Sequence, residues 1–261
     1  MNLFFQSFGS SGRPLIILHG LLGSSDNWHT LGKRFAGEFQ VFIPDARNHG
    51  RSPHADAFDY GVMADDIRDF MRQHSIPSAH ILGHSMGGKT AMTLALHSPS
   101  LIDRLVVVDI GPGPSPDSNA AIVRAMLGID LQRFNSRTSI DQHLSSSIPD
   151  ATTRQFIMKN LRKDDEGMYS WKVNLASIST NLSEMERGLP GGPTFSGTTL
   201  FVRGEKSDYL REMDPGLLQS YFPQCRLVTI PNAGHWVHAD APEEFYRTVS
   251  TFLKREEARV E

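Results

Sequence analysis

Short, unbroken apolar runs recur along the chain and alternate with stretches whose apolar residues repeat every three or four positions. Leu15-Ile16-Ile17-Leu18, Val41-Phe42-Ile43, Ile81-Leu82 and Leu105-Val106-Val107-Val108 are such runs, and 198–202 and 226–230 complete the set. Apolar runs without polar alternation are expected of strands covered on both faces, as in a parallel sheet. A weaker run at 3–8, leading through Gly9 to Gly12, predicts an antiparallel edge strand. Between the runs, 28–35 predicts a short helix. The stretch 62–74 predicts a longer one, with Met63, Ile67, Phe70 and Met71 on one face. A helix over 89–97 offers Ala91, Leu94 and Ala95 for burial and is stopped by Pro99. A closing helix over 242–252 turns Phe245, Val249 and Phe252 inward, with Asp240 as its N-cap. This order implies a mostly parallel sheet with right-handed crossovers.

The rhythm breaks between Gly111 and Gly197. That stretch opens on Gly111-Pro112-Gly113-Pro114-Ser115-Pro116 and closes on Pro190-Gly191-Gly192-Pro193. Helical patterns are expected at 120–127, 140–147, 151–161 and 175–188, and no strand. About 80 residues between two sheet strands exceed a plain crossover. Residues 1–111 and 198–261 are therefore expected to form one α/β body, and 112–197 a helical lid inserted over the carboxyl ends of its strands. The lid holds nine Lys or Arg and nine Asp or Glu, which argues against steering of strongly charged substrates.

The whole chain, 261 residues with 26 Lys and Arg against 29 Asp and Glu, has no electrostatic drive toward nucleic acid or anionic membrane. Its one cysteine, Cys225, rules out an internal disulfide and a thiolate-built metal site. No run approaches the 18 residues of a membrane span, and the first residues lack the charged and apolar regions of a signal peptide. The expectation is a cytoplasmic monomer or homodimer acting on a small molecule, with no metal.

Gly83-His84-Ser85-Met86-Gly87 follows a β run and precedes a helix, the setting in which Gly-x-Ser-x-Gly carries a nucleophile. A serine needs a base. His235, in Asn232-Ala233-Gly234-His235-Trp236 between the last strand and the last helix, is the expected one. His238 is its rival, and His84 and His19 are read as structural. Two aspartates at carboxyl ends of strands are open as the group that orients the histidine, Asp109 and Asp208. Asp45 is expected to pin the loop from Arg47 to Arg51. Two backbone N–H groups are needed for an oxyanion. Met86, directly after the nucleophile, and Leu21, in His19-Gly20-Leu21-Leu22-Gly23, are the expected donors.

Together with Asp45-Ala46-Arg47-Asn48-His49-Gly50-Arg51-Ser52, these segments resemble the α/β-hydrolase superfamily over roughly Arg13 to Leu253. Within it they are similar to the small YbfF-like and mitochondrial abhydrolase-domain carboxylesterases. The resemblance implies the α/β-hydrolase fold, a mostly parallel sheet flanked by helices with an inserted lid. It implies a serine carboxylesterase for short- to medium-chain acyl esters that needs no cofactor, with some thioesterase activity. It also bears on the acid. The usual superfamily position matches Ser207, while the subgroup has serine there and takes its acid from the preceding strand, which matches Asp109. Ser207 then becomes an auxiliary group near the pair, with Asp208 beside it as the alternative acid. Dehalogenases and epoxide hydrolases of this fold carry a carboxylate where Ser85 stands. Perhydrolases and acyltransferases share the serine triad, and a non-enzymatic ligand-binding protein on the same scaffold is the reading from another class. The expected substrate pocket draws on Leu22, Met126, Leu127, Phe134, Phe156, Trp171 and Trp236, with Phe134, Phe156 and Trp171 setting acyl length.

Overall fold

A computed structural model describes residues 1–115, 119–210 and 215–254. The chain runs β1 (Phe5–Phe8), β2 (Arg13–Leu18), α1 (His29–Phe35), β3 (Phe39–Pro44), α2 (Tyr60–Gln73), β4 (Ala79–His84), α3 (Met86–His97) and β5 (Ile102–Val108). An insertion follows, with α4 (Ala120–Gly128), α5 (Arg137–Leu144), α6 (Ala151–Met158), β6 (Leu161–Lys163), β7 (Tyr169–Trp171), α7 (Leu175–Thr180) and α8 (Leu182–Glu186). The chain returns through β8 (Thr199–Gly204), α9 (Pro215–Tyr221), β9 (Cys225–Ile230), α10 (Val237–Asp240) and α11 (Pro242–Lys254).

Seven strands form one sheet in the order β1-β3-β2-β4-β5-β8-β9. Every pairing is parallel except that of the edge strand β1 with β3. The apolar runs sort their side chains by the period of two that a strand imposes. Ile16, Ile81, Leu105, Val107 and Phe201 pack with Phe70 of α2, Leu94 of α3 and Leu218 of α9. Their neighbours Leu15, Leu82, Val106, Val108 and Leu200 pack with Phe35 of α1 and Phe245 and Val249 of α11. Both faces are thus covered, which is why these strands lack polar alternation. A third apolar cluster joins Val123, Met126, Ile157 and Ile178 of the insertion to Leu22, Met63 and Met86 of the body. It fixes the insertion above the carboxyl ends of β2 and β4. Among the described residues no helix is long and apolar enough to cross a membrane.

Several expectations need correction. The insertion does contain strands: β6 and β7 form a hairpin of three residues each, too short to leave a periodic signal. Its turn is set locally, by Gly167 at φ +87° and by Asp164, whose Oδ1 accepts from Met168 N–H at 2.7 Å. The single helix expected over 175–188 is two. Asn181 ends the first and ties the junction to the body by donating to Asp56 O at 3.0 Å. Helix α5 starts earlier than expected because Ser136 caps it, accepting from Ser139 N–H at 3.1 Å. Asp240 does not cap the closing helix. It ends the short helix α10, and its Oδ2 accepts from Gly234 N–H at 2.8 Å. Helix α9 carries no clear amphipathic pattern and was not expected. Pro116, part of the proline-rich exit, lies outside the described residues.

Candidate active site

Ser85 occupies the turn between β4 and α3 with φ 51° and ψ −116°, a strained conformation for a residue with a side chain. Its N–H donates to Val108 O at 3.0 Å, and its carbonyl accepts from Gly88 and Lys89 at the start of α3. The flanking glycines are steric necessities. A Cβ on Gly83 would strike Gly87 O, and one on Gly87 would strike Leu18 O. The turn therefore closes only where both lack one.

Asp109 follows β5, also at positive φ (54°), with its N–H donating to Val202 O at 2.8 Å. Its side chain is fully buried, and three donors satisfy it. Oδ1 accepts from Gly204 N–H at 3.0 Å; Oδ2 accepts from the Ser207 hydroxyl and from His235 Nδ1 at 2.7 Å. A buried carboxylate is tolerable when paired and hydrogen-bonded in this way. Asp208, held open as the alternative, is exposed. The turn after β8, closed by Ser207 N–H donating to Gly204 O at 3.1 Å, buries Ser207 and leaves Asp208 outside.

The loop carrying His235 is held at three points. Gly234 N–H donates to Asp240, Asn232 N–H donates to Glu205 Oε2 at 2.9 Å, and His84 Nε2–H donates to His235 O at 2.9 Å. That last bond places the His84 proton on Nε2, and burial holds the ring's pKa well below its ordinary value. His238, the rival base, is buried and stacked on Trp28 with centroids 4.1 Å apart; burial pushes it down to about 3.

The loop after β2 is braced by two more neutral histidines. His19 Nδ1–H donates to Gly20 O at 2.9 Å while its Nε2 accepts from Ala46 N–H at 2.9 Å. His49 Nδ1–H donates to Arg47 O at 2.9 Å while its Nε2 accepts from Leu22 N–H at 3.1 Å. Burial lowers both rings, His49 to about 3, so each keeps one proton and one lone pair. Asp45 fixes the next layer, accepting from Ser25 N–H at 2.6 Å and Arg51 N–H at 2.8 Å. Leu22 sits at φ 59°, and Asn160 of the insertion donates to its carbonyl at 2.7 Å. Gly20 brings this loop against the nucleophile: a Cβ there would lie 2.9 Å from His84 Nδ1 and 3.4 Å from Ser85 Cβ. Leu21 follows directly. Met86 opens α3, whose first amides have no intrahelical acceptor.

Ser85, His235, Leu21, Leu22, Phe156 and Trp236 line one cleft. The other expected pocket residues do not border it. Leu127 is 46% exposed, since the α4 face that turns Val123 and Met126 inward leaves the next position outside. Met126 is buried in the apolar cluster that joins the insertion to the body, and its carbonyl accepts from Trp171 Nε1 at 3.0 Å. Phe134 packs edge-on against His143, with centroids 5.2 Å apart. Tyr209, which no sequence pattern singled out, stacks on His235 with centroids 3.9 Å apart and planes at 16°.

A buried carboxylate, an imidazole oriented by it and a serine on a strained turn in the same cleft are the groups that acyl transfer uses. A family described as the alpha/beta hydrolase fold matches residues 13–146. The chain is similar to the sn-1-specific diacylglycerol lipase ABHD11 of Danio rerio, with 38% identity over 97% of this chain and 83% of that protein. It is also similar to Esterase YbfF of Escherichia coli, with 32% identity over 92% of each. Among solved structures, a marine microorganism esterase matches with a TM-score of 0.93 and 41% identity, covering 96% of this chain and 98% of that one.

Proposed function

The chain belongs to the α/β-hydrolase family, and from that premise we propose that it is a serine carboxylesterase for short- to medium-chain acyl esters, working through an acyl-enzyme. The observation that carries this reading is the buried Asp109 on His235 Nδ1, at 2.7 Å, in a site whose cleft His235 shares with Ser85. Esterases and a diacylglycerol lipase among the relatives support the same reaction class.

In the proposed sequence, Asp109 keeps the His235 proton on Nδ1, leaving Nε2 free as the base. Ser85 Oγ attacks the ester carbonyl as Nε2 takes its proton. The oxyanion is bound by Met86 N–H and Leu21 N–H, both attached to braced backbone. Nε2–H then protonates the departing alcohol oxygen, the carbon–oxygen bond breaks, and the acyl group stays on Ser85. Water enters on the histidine side and repeats the steps, releasing the acid. No cofactor takes part in this scheme. The test is hydrolysis of p-nitrophenyl acetate and butyrate by the wild-type chain and by Ser85→Ala. Turnover lost in the variant supports the reading, and turnover equal in both overturns it.

A further inference from the structure

Ser85 borders two clefts, not one. The first, under α6, is lined by Trp28, Phe156, Trp236 and His235. The second, under α8, is lined by Tyr60, Met86, Leu182, Met185 and Tyr209. Leu21, Ser85 and Asn119 border both, so a carbonyl carbon on Ser85 Oγ stands at their junction. Resting on the esterase reading, we propose that the two clefts divide the substrate: the acyl group enters the α8 cleft and the leaving alcohol lies in the α6 cleft. The substrate class is then a short acyl ester of a bulky, apolar or aromatic alcohol.

The direction follows from where the proton goes. As the carbon–oxygen bond breaks, the alcohol oxygen takes the proton that His235 removed from Ser85. That oxygen must therefore lie within hydrogen-bond reach of the imidazole. His235 lines the α6 cleft and does not line the α8 cleft. Tyr209, stacked on the imidazole, itself lines the α8 cleft and so walls it from the ring. With the carbonyl oxygen held between Leu21 and Met86, the acyl substituent has the α8 cleft left to it.

Size and lining fit this division. The α8 cleft has a cavity volume of about 20 Å³ against about 50 Å³ for the α6 cleft. At roughly 10–15 Å³ per water-sized group, the former takes an acetyl-sized chain end without rearrangement. Polar groups lie around it. Tyr60 Oη donates to Met185 O at 2.7 Å, and Lys89 Nζ donates to Ser115 Oγ at 3.1 Å. Phe156 and Trp236, with ring centroids 5.3 Å apart, present an aromatic wall to the α6 cleft.

The test uses two ester series on the full chain. One varies the acyl group from acetate to octanoate on p-nitrophenol; the other varies the alcohol from methyl to 2-naphthyl on acetate. Leu182→Ala and Met185→Ala are expected to raise the octanoate-to-acetate ratio of kcat/KM by about tenfold or more, the scale of a few methylenes in a pocket. Phe156→Ala is expected to lower the naphthyl-to-methyl ratio by about tenfold while moving the acyl ratio by less than about twofold. Leu182 is half-buried, so its variant keeps the test alive if Met185→Ala fails to fold. The assignment falls if the ratios move the other way round, or if every variant moves both alike. Wild type and Ser85→Ala are run on each series. Hydrolysis equal or absent in both defeats the esterase reading itself, whereas Ser85-dependent hydrolysis with crossed ratios defeats only the subsites.

Discussion

Tyr209 lies flat on His235, 3.9 Å from centroid to centroid, while Asp109 holds the same imidazole by its edge at 2.7 Å. The ring that becomes an imidazolium in the proposed mechanism thus has a carboxylate at its edge and an aromatic face against its own. A cation over an aromatic face gains about 0.5–2 kcal/mol. Tyr209→Leu is therefore expected to lower kcat for p-nitrophenyl acetate by about 2- to 30-fold, and Tyr209→Phe to keep it. Equal kcat in all three proteins would show that the stack does not act on the charged ring.

The two aspartates separate cleanly in a side-by-side comparison. Asp109→Asn leaves Ser85 in place but frees the imidazole to take the wrong tautomer. The cost is on the order of 10⁴-fold in kcat, by analogy with the serine-protease case. Asp208 is exposed, and Asp208→Asn is expected to cost under about tenfold. Circular dichroism checks that both variants fold. A crippled Asp208→Asn beside an active Asp109→Asn would reverse the assignment and remove the auxiliary role of Ser207 with it.

A pH effect is expected far from the site. His80 is buried in β4 against Phe39, and neither ring nitrogen has a hydrogen-bond partner among the described residues. Burial pushes its pKa down to about 4. Between pH 6.5 and 4 the unfolded chain binds this proton more readily than the folded one. The neutral ring's contribution is complete above pH 6.5 and is lost as pH falls, at up to about 1.4 kcal/mol per unit. Against His80→Phe, wild-type stability should fall progressively in urea titrations at pH 7, 6 and 5. A constant difference would contradict the assigned cause.

Much of this arrangement is legible in the sequence because single residues dictate it. Gly83 and Gly87 announce the turn at Ser85 through the Cβ atoms they lack. The unbroken apolar runs announce strands with two covered faces. What stays illegible depends on phase or on distance. Asp109 and Asp208 stand at adjacent strand ends, and the loop geometry after β8 decides which touches His235. Leu127 and Met126 are one helical step apart, and that step separates an exposed side chain from a buried one. Asp240 reads as a cap in either case, yet the amide it serves is Gly234, which precedes His235. Tyr209 and the α8 cleft come together from segments more than a hundred residues apart, so no local pattern marks them.

The proposed mechanism requires a covalent acyl group on Ser85, and the direct measurement is to trap it. The enzyme is quenched in acid during turnover of p-nitrophenyl acetate, digested, and the peptide bearing Ser85 weighed by mass spectrometry. An acetyl group is expected on Ser85 in the wild-type chain and none in Ser85→Ala. Hydrolysis that proceeds with no adduct, or an adduct on another residue that persists in Ser85→Ala, would contradict it.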